Sequence, residues 1–393
     1  MAIALHSDVE ELREELIALR RDLHRHPELA FAERRTAALV AERLRSWGFA
    51  VQAGVARTGV IGVLDMGGPG KTLMLRADMD ALPIHETPGR PYGSTNQGAM
   101  HACGHDAHVA VALTTAGLLA KHRSQLRGRL KVVFQPAEEI VAGAKLMLEE
   151  GLMDTLPPDR VLGFHCWPTL AAGKVGVHPG YMWAAVDQVK LLVRGVGAHG
   201  GTPHLGADPL LAGAHIVVAL QSLFSREIST FQPALFTQGI FRAGSLYNII
   251  PAEAEIWGSC RNFDPQVRDF MHRRIREIAE GVAATFRCTA TMELGHGSPA
   301  LWNDPDATAD VQEAASQAVG AGNVVDIGQS AVGDDMAYFL QKAPGCYFLL
   351  GVGNPQQGID ASLHSPQFDI DESALPVAAE TLAGAAIAYL GQP

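Results

Sequence analysis

Four short runs in the first half of the chain are apolar along almost their whole length: Val60–Leu64, Leu73–Ala77, Leu130–Phe134 and Val161–Phe164. A strand with one wet face alternates polar and apolar residues, whereas strands like these need cover on both faces. Helical patterns lie among them, from Ala107 to Lys121 and from about Ala142 to Glu150. Strands alternating with helices predict an α/β layer with its sheet sandwiched between helices. Upstream, Ser7-Asp8-Val9-Glu10 has the pattern of a capping box. It would open a helix striped by Val9, Leu12, Leu16, Leu19 and Leu23 and closed by Pro27. A second helix is expected from Ala32 to Trp47, stopped by Gly48.

The texture changes near Val186. Val189–Val193 alternates better, as a sheet with one wet face would, and a helix follows from Pro209 to Ser225. Strands Ala234–Phe241 and Glu253–Cys260, a helix from Pro265 to Ala284 and a strand Thr289–Leu294 complete a β-α-β-β-α-β order, that of a ferredoxin-like domain. After Gly297 the α/β texture returns, with a helix near Ala307–Val319 and a strand Cys346–Leu350. A chain of 393 residues is too long for one ordinary core. The expected division is a discontinuous domain of residues 1–185 and 297–393 interrupted by an inserted domain of residues 186–296.

Composition narrows the function classes. Hydrophobic content of 47% with 19% charged residues describes a globular chain. A net charge of −11 without any long basic run argues against a nucleic-acid surface. The five cysteines, Cys103, Cys166, Cys260, Cys288 and Cys346, are odd in number and scattered, which points to a reducing cytoplasm and not to a disulfide framework. Ala2–Leu5 is too short for a signal peptide, and no run of membrane-span length is expected.

Three of the apolar runs lead into polar residues. Asp78-Met79-Asp80 follows Leu73–Ala77, Gln135–Glu139 follows Leu130–Phe134, and His165–Pro168 follows Val161–Phe164. Ligands of open α/β sheets bind at the carboxyl ends of strands. A fourth segment, His101-Ala102-Cys103-Gly104-His105-Asp106-Ala107-His108, sets a thiol between imidazoles around a glycine. Taken singly, a histidine is usually a satisfied or surface residue and a cysteine a small buried apolar group. Together, Cys103, His105, Glu139, His165 and the later His364 offer five donors. A closed structural zinc site usually takes four, so the set suits two metals with open positions. Glu138, beside a metal-bound Glu139, is placed to serve as general base. Asp80 is the candidate carboxylate behind a ligating histidine, Asp78 a weaker one. In Gly197–His204 the glycines around His199 suggest an imidazole free to donate to an oxyanion. Asn248 and Arg261 are candidates to hold a substrate carboxylate.

At these residues the sequence resembles the M20 metallopeptidase family. It is most similar to the amidohydrolase branch of hippurate hydrolases, N-acyl-amino-acid amidohydrolases and auxin-conjugate hydrolases. The likeness runs from Arg20–Leu29 through Leu75–Pro83, His101–His108, Phe134–Glu139, Gly163–Pro168, Ala198–Pro203 and Asn248–Pro251 to His364. It implies an α/β fold: a mixed-sheet dinuclear-metal catalytic domain with an inserted ferredoxin-like α+β lid and dimerisation domain. It also implies metal ligands at Cys103, His105, Glu139, His165 and His364, the general base at Glu138, the supporting aspartate at Asp80 and the lid histidine at His199. Two divalent ions per subunit are implied, manganese or zinc, with cobalt or nickel as alternatives. Where many relatives carry Ser-Glu-Asp-Phe, this chain has Val332-Gly333-Asp334-Asp335-Met336, a departure that bears on substrate preference.

The expected activity is metal-dependent hydrolysis of the amide bond of N-acyl amino acids, hippurate-like or N-acetylated, by a cytoplasmic homodimer or dimer-based tetramer. The alternative is a dipeptidase or aminopeptidase using the same site. The expected partner is that small-molecule substrate, with neither nucleic acid nor membrane.

Overall fold

In the computed structural model, which describes residues 3–391, strands Thr72–Asp78 and Gly345–Gly353 are buried at every position. They belong to an eight-stranded sheet. Its order is Ala50–Val55, Gly59–Gly67, Gly128–Gln135, Thr72–Asp78, Arg160–Ala171, Gly345–Gly353, Val175–Val177, Val324–Asp326. The four strands from Gly128–Gln135 to Gly345–Gly353 are parallel to their neighbours in that row, and antiparallel pairings flank them. The sheet is thus mixed, and its parallel centre is the part that needs cover on both faces. Helices Arg13–Arg25, Arg34–Ser46, His105–Lys121, Pro305–Val319 and Leu375–Leu390 contribute buried side chains to the same core.

The chain divides into two compact units. The first takes the residues up to Met182, then Trp302–Gly328 and everything from Asp335 on; the second takes Trp183–Leu301 with Gln329–Asp334. The segment 329–334, which the sequence reading leaves in the first domain, therefore groups with the second. In the second unit four strands run in the order Ala234–Ala243, Glu253–Asn262, Ala185–Arg194, Thr289–Ser298, every neighbour antiparallel. Helices Pro209–Ser222 and Pro265–Thr285 share a core with it through Ile216, Leu220, Met271 and Ile275. This is the ferredoxin-like arrangement.

Several local expectations fail. Ser7 does not cap a helix: the first helix is Leu5–Glu11, and the Ser7 hydroxyl donates to the Ala4 carbonyl inside its first turn. The chain then breaks at Leu12 before the Arg13–Arg25 helix. Strand Ala50–Val55 escapes sequence reading because this edge strand is mostly exposed and lacks an apolar face. The expectation that nothing approaches membrane-span length also fails. Glu372–Leu390 is a 19-residue helical stretch of mean hydropathy 1.4, long and apolar enough to cross a membrane. It is spent inside the fold: 67% of its most apolar 18-residue window is buried, with Leu375, Ala378, Leu382 and Ala386 in the core.

A buried ion cluster joins the Arg13–Arg25 helix to the start of the His105–Lys121 helix. Arg20, fully buried, donates to Asp106 at 2.8 Å and to Asp369 and Glu372 at 3.1 Å each. His24 Nδ1 lies 2.7 Å from the same Asp106 oxygen. Burial alone would raise Asp106; Arg20 and His24 reverse that and hold it well below the ordinary carboxylate range. Replacing Arg20 with Ala leaves buried Asp106 with His24 alone, while Glu372 keeps Arg21 and Asp369 keeps Arg90 and Tyr92, so a loss of about 3–5 kcal/mol in unfolding free energy is expected from urea titration. Arg20→Lys should recover only part of it, because one ammonium cannot reproduce the guanidinium fork.

Candidate metal centre

The segment His101–His108 forms a turn that runs into a helix. Gly104 has φ +87°, and a Cβ there would sit 3.0 Å from the Cβ of Cys166. Only glycine suits that backbone. Helix His105–Lys121 starts at the next residue, two earlier than the sequence suggests, so His105 is held by the first helical turn. The Arg160–Ala171 strand delivers His165 from within its length, not from beyond its end. Its pairing to Thr72–Asp78 stops at Leu162, which leaves that side of the strand open at His165. His364 arrives from far along the chain; its N–H donates to the Ala102 carbonyl at 2.8 Å, and it adopts the left-handed φ of +63°.

These pieces bring all five sequence-selected donors together. Cys103, His105 and His165 form one group whose donor atoms lie within 4.8 Å of one another, and Cys103, Glu139 and His364 form a second. The Cys103 sulfur belongs to both. His165 Nε2 is 3.5 Å from that sulfur, and His364 Nε2 is 3.4 Å from Glu139 Oε2. Both inner histidines are aimed by main-chain oxygens. His105 Nδ1 donates to the Asp80 carbonyl at 2.8 Å, and His165 Nδ1 donates to the Cys166 carbonyl at 2.7 Å. A carbonyl only accepts, so each Nδ1 carries the proton and each Nε2 is turned to the cluster.

His108 is spoken for. The Cys166 N–H donates to its Nε2 at 3.0 Å, so its Nδ1 proton goes to Asp78 at 2.6 Å. Asp78 is further held by Arg76 at 2.7 Å. Asp80 does two jobs. Its carboxylate lies 3.4 Å from His105 Nδ1 and accepts the backbone N–H groups of Glu138 at 3.0 Å and Glu139 at 3.1 Å. It orients the two glutamates through their main chain. Glu138 is buried, with Oε2 3.9 Å from His105 Nε2.

The donor set fits a cation. Buried His105 Nε2 and Glu139 Oε1 face each other at 3.9 Å, and neither has a hydrogen-bond partner. Such atoms are costly unless something else satisfies them. Burial lifts Glu139 to about 7. Burial opposes a charge on His105, but Asp78, Asp80 and Glu139 outweigh it and raise the imidazole to about 10. Protons therefore compete with a cation for these lone pairs.

The three remaining candidates lie in the second unit. His199 sits in a two-residue strand opposite Ile249, and the Gly200 N–H donates to the Asn248 carbonyl at 2.8 Å, so these two candidates share one ribbon. The Gly201 N–H donates to His199 Nδ1 at 3.0 Å. Arg261 stands apart from them, half-buried in strand Glu253–Asn262, opposite Val186.

Sequence reasoning missed a buried network beside the centre. Asp335 accepts from Gln135 Nε2 at 2.6 Å, from Arg76 at 3.1 Å and from the Ala144 N–H at 3.0 Å. An arginine inside the apolar run Leu73–Ala77 was the available signal. The aspartate of the departing stretch Val332–Met336 thus serves the core of the first unit.

Gly104→Ala should cost about 2–4 kcal/mol, from a disfavoured backbone and a forced shift of Cys166. A lowered urea midpoint with unchanged slope would show it.

Comparison with known proteins comes to the same place. The model of Peptidase family M20/M25/M40 matches residues 74–388. The chain is 39% identical over 364 residues to the N-acetyl-L-cysteine deacetylase of Bacillus subtilis, covering 93% of this chain and 85% of that one. It is 37% identical over 379 residues to thermostable carboxypeptidase 2 of Saccharolobus solfataricus, covering 95% of each. A solved Bacillus subtilis protein described as a dinuclear metal binding peptidase from the M20 family superposes with a TM-score of 0.82 at 33% identity, covering 97% of this chain and 99% of that one. A converging donor set and matches along nearly its whole length make this chain a member of the M20/M25/M40 peptidase family, and a hydrolase.

Proposed function

We propose that this enzyme hydrolyses the amide bond of N-acyl amino acids, releasing a carboxylic acid and a free amino acid, at a site that holds two divalent cations. The observation that carries the reading is the pair of donor groups sharing Cys103, with Glu138 buried beside them. Cys103, His105 and His165 would hold one ion, and Cys103, Glu139 and His364 the other. When bound, the ions supply Lewis acidity and lower the pKa of water. A mixed sulfur, nitrogen and oxygen set suits manganese or zinc, with cobalt or nickel as alternatives. The M20 peptidase from Bacillus subtilis described as dinuclear supports the count.

The rest of the chemistry falls to side chains. Glu138 accepts a proton from the attacking water and later returns it to the departing amino nitrogen. Asp80 keeps Glu138 in place through its backbone N–H. His199 suits an oxyanion donor: with Nδ1 accepting from Gly201, its proton lies on Nε2. Asn248 and Arg261 are the proposed holders of the substrate carboxylate.

Relatives named deacetylase and carboxypeptidase support this substrate class. An N-acetyl amino acid and a peptide with a free C-terminus present the same leaving group, an amino acid with its α-carboxylate. Peptidase action is therefore the second reading, with a peptide in place of the acyl group. The second unit is the proposed lid and homodimer contact, with a dimer-based tetramer as its extension. Edge strand Ala234–Ala243 exposes Leu235, Ile240 and Phe241, and helix Pro209–Ser222 exposes Leu210, Leu211 and Val218. Five free, buried cysteines support a cytoplasmic setting.

Two measurements test the site. Glu138→Gln should lower kcat on N-acetyl amino acids by at least roughly 100-fold, the scale of a lost general base, with metal content per subunit unchanged. Retention of most of the rate would remove Glu138 from that role. In metal analysis after dialysis, His364→Ala should lose one ion, whereas Cys103→Ala should lose both, because its sulfur is common to the two groups. Equal losses in the two variants would refute the shared thiolate.

A further inference from the structure

Glu33 is fully buried and takes no part in the scheme above. Its Oε1 accepts the N–H of Phe31 at 3.0 Å and the N–H of Ala137 at 2.9 Å, and the Thr58 hydroxyl lies 2.5 Å from its Oε2. One carboxyl group thus fastens three loops. Each loop carries non-glycine residues in the left-handed region: Phe31 at φ +62°, Ala56 and Arg57 at +48° and +77°, and Ala137 at +53°. Side chains adopt such backbone only where the surroundings enforce it, and such residues cluster at functional sites.

Ala137 is the residue immediately before Glu138. Three consecutive amides, of Ala137, Glu138 and Glu139, donate to two buried carboxyl groups, the first to Glu33 and the others to Asp80. On its far side the turn closes on itself: the Ala142 and Gly143 N–H groups donate to the Ala137 carbonyl at 3.2 and 3.1 Å. A Cβ at Gly143 would lie 1.6 Å from the Pro136 oxygen, so that side has no slack. Rotation about Ala137 would swing both glutamates.

We infer that Glu33 is a positioning residue for Glu138 and Glu139: by accepting the Ala137 amide it holds the left-handed turn that aims the general base and its neighbouring ligand. The kinetic part of this inference rests on the function proposed above. Burial pushes the Glu33 carboxyl above its ordinary range, against the Thr58 and main-chain donors. Either protonation state leaves Oε1 an acceptor, so glutamine is a fair replacement: its oxygen can take both amides and its NH2 can face Thr58.

The test compares full-length wild type, Glu33→Ala and Glu33→Gln after metal reconstitution, by hydrogen-exchange mass spectrometry and by steady-state kinetics. In Glu33→Ala, peptides covering residues 136–142 should exchange about ten-fold faster or more, while those covering Thr72–Asp78 stay protected. Its kcat should fall roughly 100-fold, the scale of a misplaced catalytic group, with KM within about three-fold. Glu33→Gln should keep both protection and kcat within about three-fold of wild type. Unchanged exchange at 136–142 in Glu33→Ala, or a drop in melting temperature with kcat per folded enzyme intact, would overturn the inference. So would a Gln variant as damaged as the Ala variant. Should Glu33→Ala fail to fold, Thr58→Val supplies the readout. It should speed exchange at 136–142 in the same direction by a smaller factor, and no change there would count against Glu33. If wild type cleaves no N-acyl amino acid, the proposed function fails, and the exchange comparison alone decides the role of Glu33.

Discussion

Too much negative charge is buried at one end of the first unit's sheet. Asp78, Asp80, Glu138 and Glu139 lie in adjoining segments, with the Cys103 thiol among them. Carboxylates in a poorly solvated site repel one another, and each needs a donor or a cation. Most of the surrounding structure answers that need. Asp78 is matched by Arg76 and His108, and Asp80 by two backbone amides. After those pairings, Glu139 Oε1 and His105 Nε2 are still without a hydrogen-bond partner. The fold compensates charge one group at a time up to the point where a divalent ion is the fitting remainder.

That compensation depends on rigid delivery. Strand Thr72–Asp78 carries Asp78 at its end and Asp80 two residues beyond it. Strand Gly128–Gln135 leads into Glu138 and Glu139, and Arg160–Ala171 carries His165. Three strands fixed by sheet pairing share one frame, which keeps donors within ångströms where separate loops would drift. The His364 segment belongs to no strand and is tied to that frame by its N–H bond to Ala102. Of the five donors its side chain is the most open, at 54% exposure.

The layered α/β unit and the ferredoxin-like insertion were legible because apolar periodicity reports burial directly. The five donors were legible because thiols, imidazoles and carboxylates at strand ends are rarely idle together. Three features were not. The capping pattern at Ser7 misled because a local motif competes with the packing of Val9, and packing set the helix start at Leu5. The edge strand Ala50–Val55 left no mark because it buries almost nothing. Glu33 was invisible because its partners are the main-chain N–H groups of Phe31 and Ala137 and a threonine hydroxyl, and such bonds leave no residue pattern. The Asp80 carboxylate shares the place behind His105 with its own carbonyl, at 3.4 Å and 2.8 Å from Nδ1, and sequence cannot tell the two apart.

That pairing of carbonyl and carboxylate has a physical logic. A carboxylate behind an imidazole fixes its tautomer and adds a full negative charge; a carbonyl fixes the same tautomer with only a dipole. At His105 both are present, and the Asp80 carboxylate is among the charges that raise the imidazole to about 10. His105 and His165 are both backed by carbonyls. The Asp80 carboxylate also binds the Glu138 and Glu139 amides, where its charge is met by two N–H dipoles. One residue thereby orients His105 with its main chain and the two glutamates with its side chain. The spacing between the imidazole and the carboxylates is then set by a single Asp80 backbone.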